Sequence, residues 1–420
     1  MPPVTSQPSA ASVGTSPAPR LRPRDFSRLP IVLGVLAVVV SALPLLVTHL
    51  LVTAPQHRVV DLEVYRDAGI SVLIGRPVYE HLTAIPQLLP FTYPPFSALL
   101  SVPLAAVPLG LAQLVWGIAV VATLAWVVHV AFQPLLQRFG RWQPTAHGVL
   151  TGAMLWLLPI RDQVRFGQVG LFLVAVILAD LVVGQHRRPR WWGPPGMLVG
   201  LATAVKLTPG VFVVYLALRR RWRAALVAAG TAALLTVVTF LALPGDSAAF
   251  WFDALLDTDR LGTNRGTSNQ SIRGMLLHVS IPQTWLWLLL AAAMAAIGFR
   301  CALSASRAGN ELAAITIVGL LSCLLSPVAW IHHLAWMPLV LAVIVGDGRD
   351  RRRVVMAAGL WVWFVLRIPW YGTAMLTSNT GPGWFARFLQ QGYGLAAIAC
   401  VFVLLWVARR DADQRVQVTR

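Results

Sequence analysis

Leu29 to Val52 reads LPIVLGVLAVVVSALPLLVTHLLV, apolar apart from Ser41, Thr48 and His49. A run of this length crosses the hydrocarbon core of a bilayer as a helix. Comparable runs recur at about 147–160, 168–184, 224–243, 282–300, 311–327, 332–346, 353–369 and 391–408. With 57% hydrophobic and only 12% charged residues and a mean hydropathy of +0.68, the chain is no ordinary soluble domain. In lipid only helices or closed barrels satisfy their own backbone. The runs are continuous in Leu, Val and Ala rather than alternating, which selects helices. The fold class expected is therefore an all-α polytopic membrane protein.

The net charge of +18 does not point to nucleic acid. Its arginines cluster in short loops, as expected of cytoplasmic ends facing anionic lipid. The clusters run from Arg20 to Arg28, Arg187 to Arg190, Arg219 to Arg223 and Arg349 to Arg353, with Arg409 and Arg410 at the end. If all lie on one side, each interval holds an even number of crossings, about twelve in total. Trp191 to Leu218 is then two short helices broken at Lys206-Leu207-Thr208-Pro209-Gly210. Tyr93 to Phe132 reads either as two spans broken near Pro108 or as one span and a surface helix. Residues 1–28 are expected as a disordered cytoplasmic tail, 29–408 as a single transmembrane domain, and 409–420 as a second cytoplasmic tail. Segments 54–92, 161–168, 244–280 and 370–390 collect on the outer face. Cys301, Cys323 and Cys400 have neither disulfide nor zinc spacing.

The chain has only 16 Asp plus Glu. Three fall in Val60-Asp61-Leu62-Glu63-Val64-Tyr65-Arg66-Asp67, just beyond the first run. Carboxylates beside a membrane are costly to keep without a use. Asp61 reads as a reacting carboxylate or as the N-cap of a surface helix; Glu63 and Asp67 join it or form that helix's solvated face. Lys206 is the only lysine, and a compact ammonium suits a phosphate oxygen at close quarters; the alternative is a structural, ion-paired lysine.

Arg161-Asp162-Gln163-Val164-Arg165-Phe166-Gly167-Gln168 is a polar break between apolar runs, either part of a site or a solvated loop where Asp162 pairs with an arginine. Ser268-Asn269-Gln270-Ser271-Ile272-Arg273 can bind sugar hydroxyls or cap a helix. His332 and His333 are poorly spaced for a metal. They offer a phosphate donor or belong, with Trp330 and Trp336, to an interfacial belt. Phe91-Thr92-Tyr93-Pro94-Pro95-Phe96 is a rigid extended element that sets Tyr93 in place. No Gly-rich nucleotide motif follows a strand, so an activated donor has to come from the membrane. A lipid-phosphate-linked sugar fits one carboxylate, one lysine and several arginines at a lipid–water boundary.

Through these motifs the chain resembles the polyprenol-phosphate-sugar-dependent glycosyltransferases of the GT-C type, and within them the actinobacterial α-1,2-mannosyltransferase family. The resemblance runs from about residue 29 to 408. It is carried by Val60–Tyr65, Thr92–Pro95, Phe166–Gln168, Val205–Pro209, Asn269–Ser271, and Ser326-Pro327 with Trp330, His332 and His333. It implies a GT-C fold of about twelve transmembrane helices with short surface helices in the outer loops. It implies inverting transfer of mannose from polyprenyl-phosphate-mannose to a mannosylated phosphatidylinositol lipid, through an α-1,2 linkage, outside the plasma membrane. The family's catalytic aspartate falls on Asp61, as general base. Lys206, His332, His333, Arg161 and Arg165 would neutralise the departing phosphate. Glu63, Tyr65, Tyr93, Gln168, Asn269, Gln270 and Arg273 would line the substrates. Partners are the donor, the acceptor and membrane lipids, with no nucleic acid. The loop reads Asp-Leu-Glu rather than the Asp-x-Asp or Glu-x-Asp of metal-dependent relatives, so neither a metal nor a cofactor is expected. An arabinosyltransferase or a lipomannan-branching mannosyltransferase would use the same donor chemistry. A lipid or solute transporter would suit broken helices too, but would want its charge near the midplane.

Overall fold

The computed structural model describes residues 28–257, 260 and 262–418; apart from Arg28, the expected N-terminal tail lies outside them. Among the described residues the chain is helical, with two isolated backbone bridges, Leu82 to Pro90 and Asn269 to Trp330. Five helices are long and apolar enough to cross a membrane: Leu29–Val52, Leu109–Ala131, Trp222–Ala242, Thr284–Arg307 and Gly392–Arg415. Two bent pairs, Leu158–Phe166 with Gly170–His186 (117°) and Arg351–Val365 with Ile368–Thr377 (50°), raise the number to seven if each is one span. Shorter apolar helices are Pro95–Ala105, Thr208–Leu218, Glu311–Leu324 and Ile331–Val345.

Burial sorts these helices into layers. Leu29–Val52 exposes Val35, Leu36, Val40 and Leu43, and Trp222–Ala242 exposes Leu226, Leu234 and Leu241. Such continuous apolar stripes suit lipid rather than water. Glu311–Leu324 and Met337–Val345 are buried on nearly every side, as expected of helices that are apolar all round. Small residues let the backbones approach: a Cβ on Gly148 would lie 2.6 Å from the Cα of Gly34, a contact of the kind that drives helix association in lipid. Away from the acidic stretch, scarce carboxylates tie down arginines, Arg188 to Asp180 at 2.7 Å and Arg353 to Asp411 at 2.6 Å.

The ambiguous stretch from Tyr93 resolves as one short helix, Pro95–Ala105, and one long one, Leu109–Ala131. Trp191 to Leu218 breaks as expected. Met197–Val205 ends at Lys206, whose backbone is extended (φ −150, ψ 133), and a tight turn Thr208–Gly210 restarts the helix at Val211. The solvated-loop alternative is corrected. Residues 161–166 are no loop but part of the helix Leu158–Phe166, because only Gly167 takes the left-handed conformation that stops it (φ +76). The last helix runs on to Val418.

Candidate active site

The helix Val60–Ile74 opens at Val59, which is left-handed (φ 49, ψ 46), a strained choice for a β-branched residue. Asp61 lies inside the first turn, and no side chain caps this helix, so the capping reading falls. A helix N-terminus favours negative charge at that position. Asp61 Oδ2 accepts a hydrogen bond from Gln168 Nε2 at 2.5 Å. Burial pushes the Asp61 carboxyl up to about 6, against the Gln168 bond and the Lys206 charge, while the nearby Asp162 carboxylate adds to the rise. Such a group is ionised at neutral pH and is a stronger base than an ordinary aspartate.

The turn after Phe166 brings Gln168 to it. Both Gly167 and Gln168 donate their N–H groups to the Gln163 carbonyl at 3.0 Å. A Cβ on Gly167 would lie 2.5 Å from Val59 Cγ1 and 2.8 Å from Leu62 Cβ. Glycine is therefore required twice here, for its positive φ and for the close seating of the Asp61 helix.

From Asp61 a hydrogen-bonded chain leads to the lysine. Tyr93 Oη donates to Gln168 Oε1 (3.3 Å) and lies 2.9 Å from Tyr65 Oη. Lys206 Nζ donates to Tyr93 Oη (3.4 Å), lies 3.1 Å from His333 Nε2, and sits 4.9 Å over the Tyr93 ring. Ser97 holds the broken helix in place by donating to the Val205 carbonyl at 2.5 Å, and Tyr79 Oη fixes the Tyr93 carbonyl at 2.7 Å. His332 stacks edge-on against His333 with ring centres 4.6 Å apart, and its carbonyl accepts from Gln163 Nε2 at 2.5 Å. Asp61, Tyr65, Tyr93, Gln168, Lys206, His332 and His333, far apart in sequence, thus meet in one place.

The remaining sequence-derived residues lie differently. Arg161 and Arg165 gather with Arg367 around Asp162, whereas Lys206 acts on the two histidines. The helix that carries Arg161 and Arg165 also packs on the histidine turn, Phe166 lying edge-on to His332 with ring centres 5.9 Å apart. Asn269 is fully buried, its Oδ1 accepting from Ser271 Oγ (2.9 Å) and the Ala329 N–H (3.0 Å). Gln270 donates to the Gln390 carbonyl (2.9 Å) and accepts from the Gly394 N–H (2.8 Å). These two amides pin loops together, and Ser271 caps Ile272–His278. Arg273 lies over the Trp287 ring at 5.3 Å, outside the Lys206 cluster. Glu63 is partly buried and pushed upward by that burial and by Asp67; Asp67 faces His81 Nε2 at 3.4 Å. Sequence reasoning missed Gln163 and Arg367. An arginine inside the apolar run 353–369 was a readable signal for the second; a glutamine on a polar turn carries none.

Residues 91–327 match the profile of glycosyltransferase family 87. The chain is 34% identical over 333 residues (72% of this chain, 74% of the relative) to a polyprenol-phosphate-mannose-dependent alpha-(1-2)-phosphatidylinositol mannoside mannosyltransferase of Mycolicibacterium smegmatis. It is 32% identical over 373 residues (86% and 84%) to a polyprenol-phosphate-mannose-dependent alpha-(1-2)-phosphatidylinositol pentamannoside mannosyltransferase of Mycobacterium tuberculosis. No solved structure matches. The resemblance read from the motifs is thus met by relatives along most of the chain, and the protein belongs to glycosyltransferase family 87.

Proposed function

We propose that the protein transfers mannose from polyprenyl-phosphate-mannose to a mannosylated phosphatidylinositol lipid, forming an α-1,2 linkage with inversion. The observation that carries this reading is the hydrogen-bonded chain from Lys206 through Tyr93 and Gln168 to Asp61, in a protein of this family. Asp61 takes the proton of the acceptor hydroxyl, whose oxygen bonds to C1 of the mannose. The bond from C1 to the phosphate oxygen breaks, and polyprenyl phosphate leaves with the electron pair. Lys206, with His333 beside it, meets the charge that develops on that phosphate; preorganised charge of this kind is often the largest catalytic contribution. Tyr93 links the two ends, so acid–base and leaving-group chemistry share one rigid frame.

The rest of the reading follows the arginine distribution. About twelve crossings in a GT-C arrangement put both tails in the cytoplasm and the site at the outer face of the plasma membrane. Membership of a glycosyltransferase family favours transfer over transport.

The test is incubation of the purified protein with polyprenyl-phosphate-mannose, radiolabelled in the sugar, and a panel of lipid acceptors. Label is expected in a mannosylated phosphatidylinositol and is released by a mannosidase specific for α-1,2 bonds. Transfer only to lipomannan, or only from a pentose donor, would replace this reading with another member of the same chemistry. In the same assay Gly167→Ala is expected to cost about 1–2 kcal/mol of left-handed backbone strain. By pushing Leu62 away it also moves Asp61, and a misplacement near 1 Å lowers rates on the order of 10²-fold. Unchanged turnover with a lowered thermal midpoint would show that the Asp61–Gln168 register is not needed.

A further inference from the structure

Two buried polar atoms beside the Lys206 cluster have no partner among the described residues: Asp162 Oδ1 and His332 Nε2. Asp162 is 4% exposed. Its nearest cation, Arg165 Nη1, stands 3.9 Å away, beyond hydrogen-bond length. A buried carboxylate oxygen without a donor is costly, and a ligand hydroxyl would supply one.

Around this carboxylate stand Arg165, Arg161 and Arg367. Two of these guanidiniums lie over aromatic rings, Arg165 4.7 Å from the centre of Phe166 and Arg367 4.8 Å from that of Trp370. Stacking fixes a guanidinium while leaving its N–H edges free. The bend that presents Arg367 is itself held, since Tyr393 Oη donates to the Leu366 carbonyl and lies 3.2 Å from that of Phe364. Free, pre-oriented guanidinium edges match the paired oxygens of a phosphodiester. Lys206, 3.1 Å from His333 Nε2, already offers the donor phosphate a cation, whereas Arg165 faces Asp162. Asp162 in turn lies close enough to act on Asp61, so a molecule held there ends next to the base.

We propose that Arg161, Arg165 and Arg367 bind the phosphodiester of the acceptor lipid's headgroup, while Asp162 Oδ1 accepts a hydrogen bond from a polyol hydroxyl of that same headgroup. This inference rests on the acceptor class proposed above. It divides the site into a donor station at Lys206 and an acceptor station at Asp162, with Asp61 between them.

Direct binding in neutral detergent tests it without requiring turnover. The probes are phosphatidylinositol, phosphatidylmethanol (the same phosphodiester without a polyol) and zwitterionic phosphatidylcholine. The wild type is expected to bind phosphatidylinositol at least about tenfold more tightly than phosphatidylmethanol, the scale of one charge-assisted hydrogen bond. Replacing the three arginines together by glutamine should weaken both anionic probes at least about tenfold and leave phosphatidylcholine unchanged. Asp162→Ala should keep phosphatidylmethanol binding and lose the preference for phosphatidylinositol. In the transfer assay the glutamine variant should raise the acceptor KM and spare the donor KM.

Equal binding of both anionic lipids by the wild type would reduce the patch to a general anionic-lipid surface and overturn the proposal. A raised donor KM with an unchanged acceptor KM would overturn it equally, returning the arginines to the donor phosphate. If the wild type prefers phosphatidylinositol yet transfers no mannose, the substrate reading fails while the acceptor station stands.

Discussion

Replacing Asp61 by asparagine is expected to lower turnover at least ~10²-fold, the usual contribution of a general base, with donor binding kept. Asparagine preserves the shape of the side chain and can still meet Gln168 across the 2.5 Å bond, so the loss isolates the missing base. The pH dependence gives a second reading. Burial raises the Asp61 carboxyl to about 6, and the ionised form is the one that takes a proton. The wild-type kcat/KM for acceptor should therefore be flat above about 6 and fall as pH drops through that value, a limb that disappears in Asp61→Asn. Glu63→Gln and Asp67→Asn should be milder, since Asp67 faces His81 and neither carboxylate joins the chain to Lys206. If Asp61→Asn kept more than about a tenth of wild-type transfer, short of the general-base range, and kept the acid limb, the base would have to be sought at Glu63 or His332.

How much of this was legible in the sequence differs from residue to residue. Leu29–Val52 announced a membrane helix by composition alone, because lipid imposes one solution on a long apolar run. The break at Lys206 was readable for a similar reason: proline and glycine beside a lone lysine cannot continue a helix. Asp61 stood out because acidic residues are so scarce here. The immediate partners of Arg165 and Lys206 were not readable. Both are cations near apolar runs, and only the folded chain sets Arg165 against Asp162 and Lys206 against His333. For Asn269 and Gln270 the sequence leaves two roles open, since an amide that binds sugar and one that pins a loop look alike and only their partners differ; here those partners are protein groups. Span counting suffered from length. Glu311–Leu324 and Met337–Val345 are shorter than a bilayer-crossing helix, yet buried on nearly every side, so periodicity and hydropathy cannot say whether they cross.

Lys206→Met is expected to remove transfer by on the order of 10²–10³-fold, the cost of losing one preorganised donor to a developing anion. Methionine keeps most of the stem against the Tyr93 ring and deletes only the ammonium that lies between Tyr93 Oη and His333 Nε2. The loss should fall mainly on kcat, because the leaving phosphate carries more charge in the transition state than in the bound donor. Lys206→Arg should recover only part, since a planar guanidinium cannot take the compact position of the ammonium. The residual activity of the methionine variant carries a further signature. The Lys206 charge pulls the Asp61 carboxyl down, so without it the acid limb should move above 6. A purely structural lysine predicts something else, because its role would be to lock the hinge where the helix breaks. Lys206→Met would then lower the thermal midpoint and leave kcat near normal, and that outcome would move leaving-group stabilisation to His332 and His333.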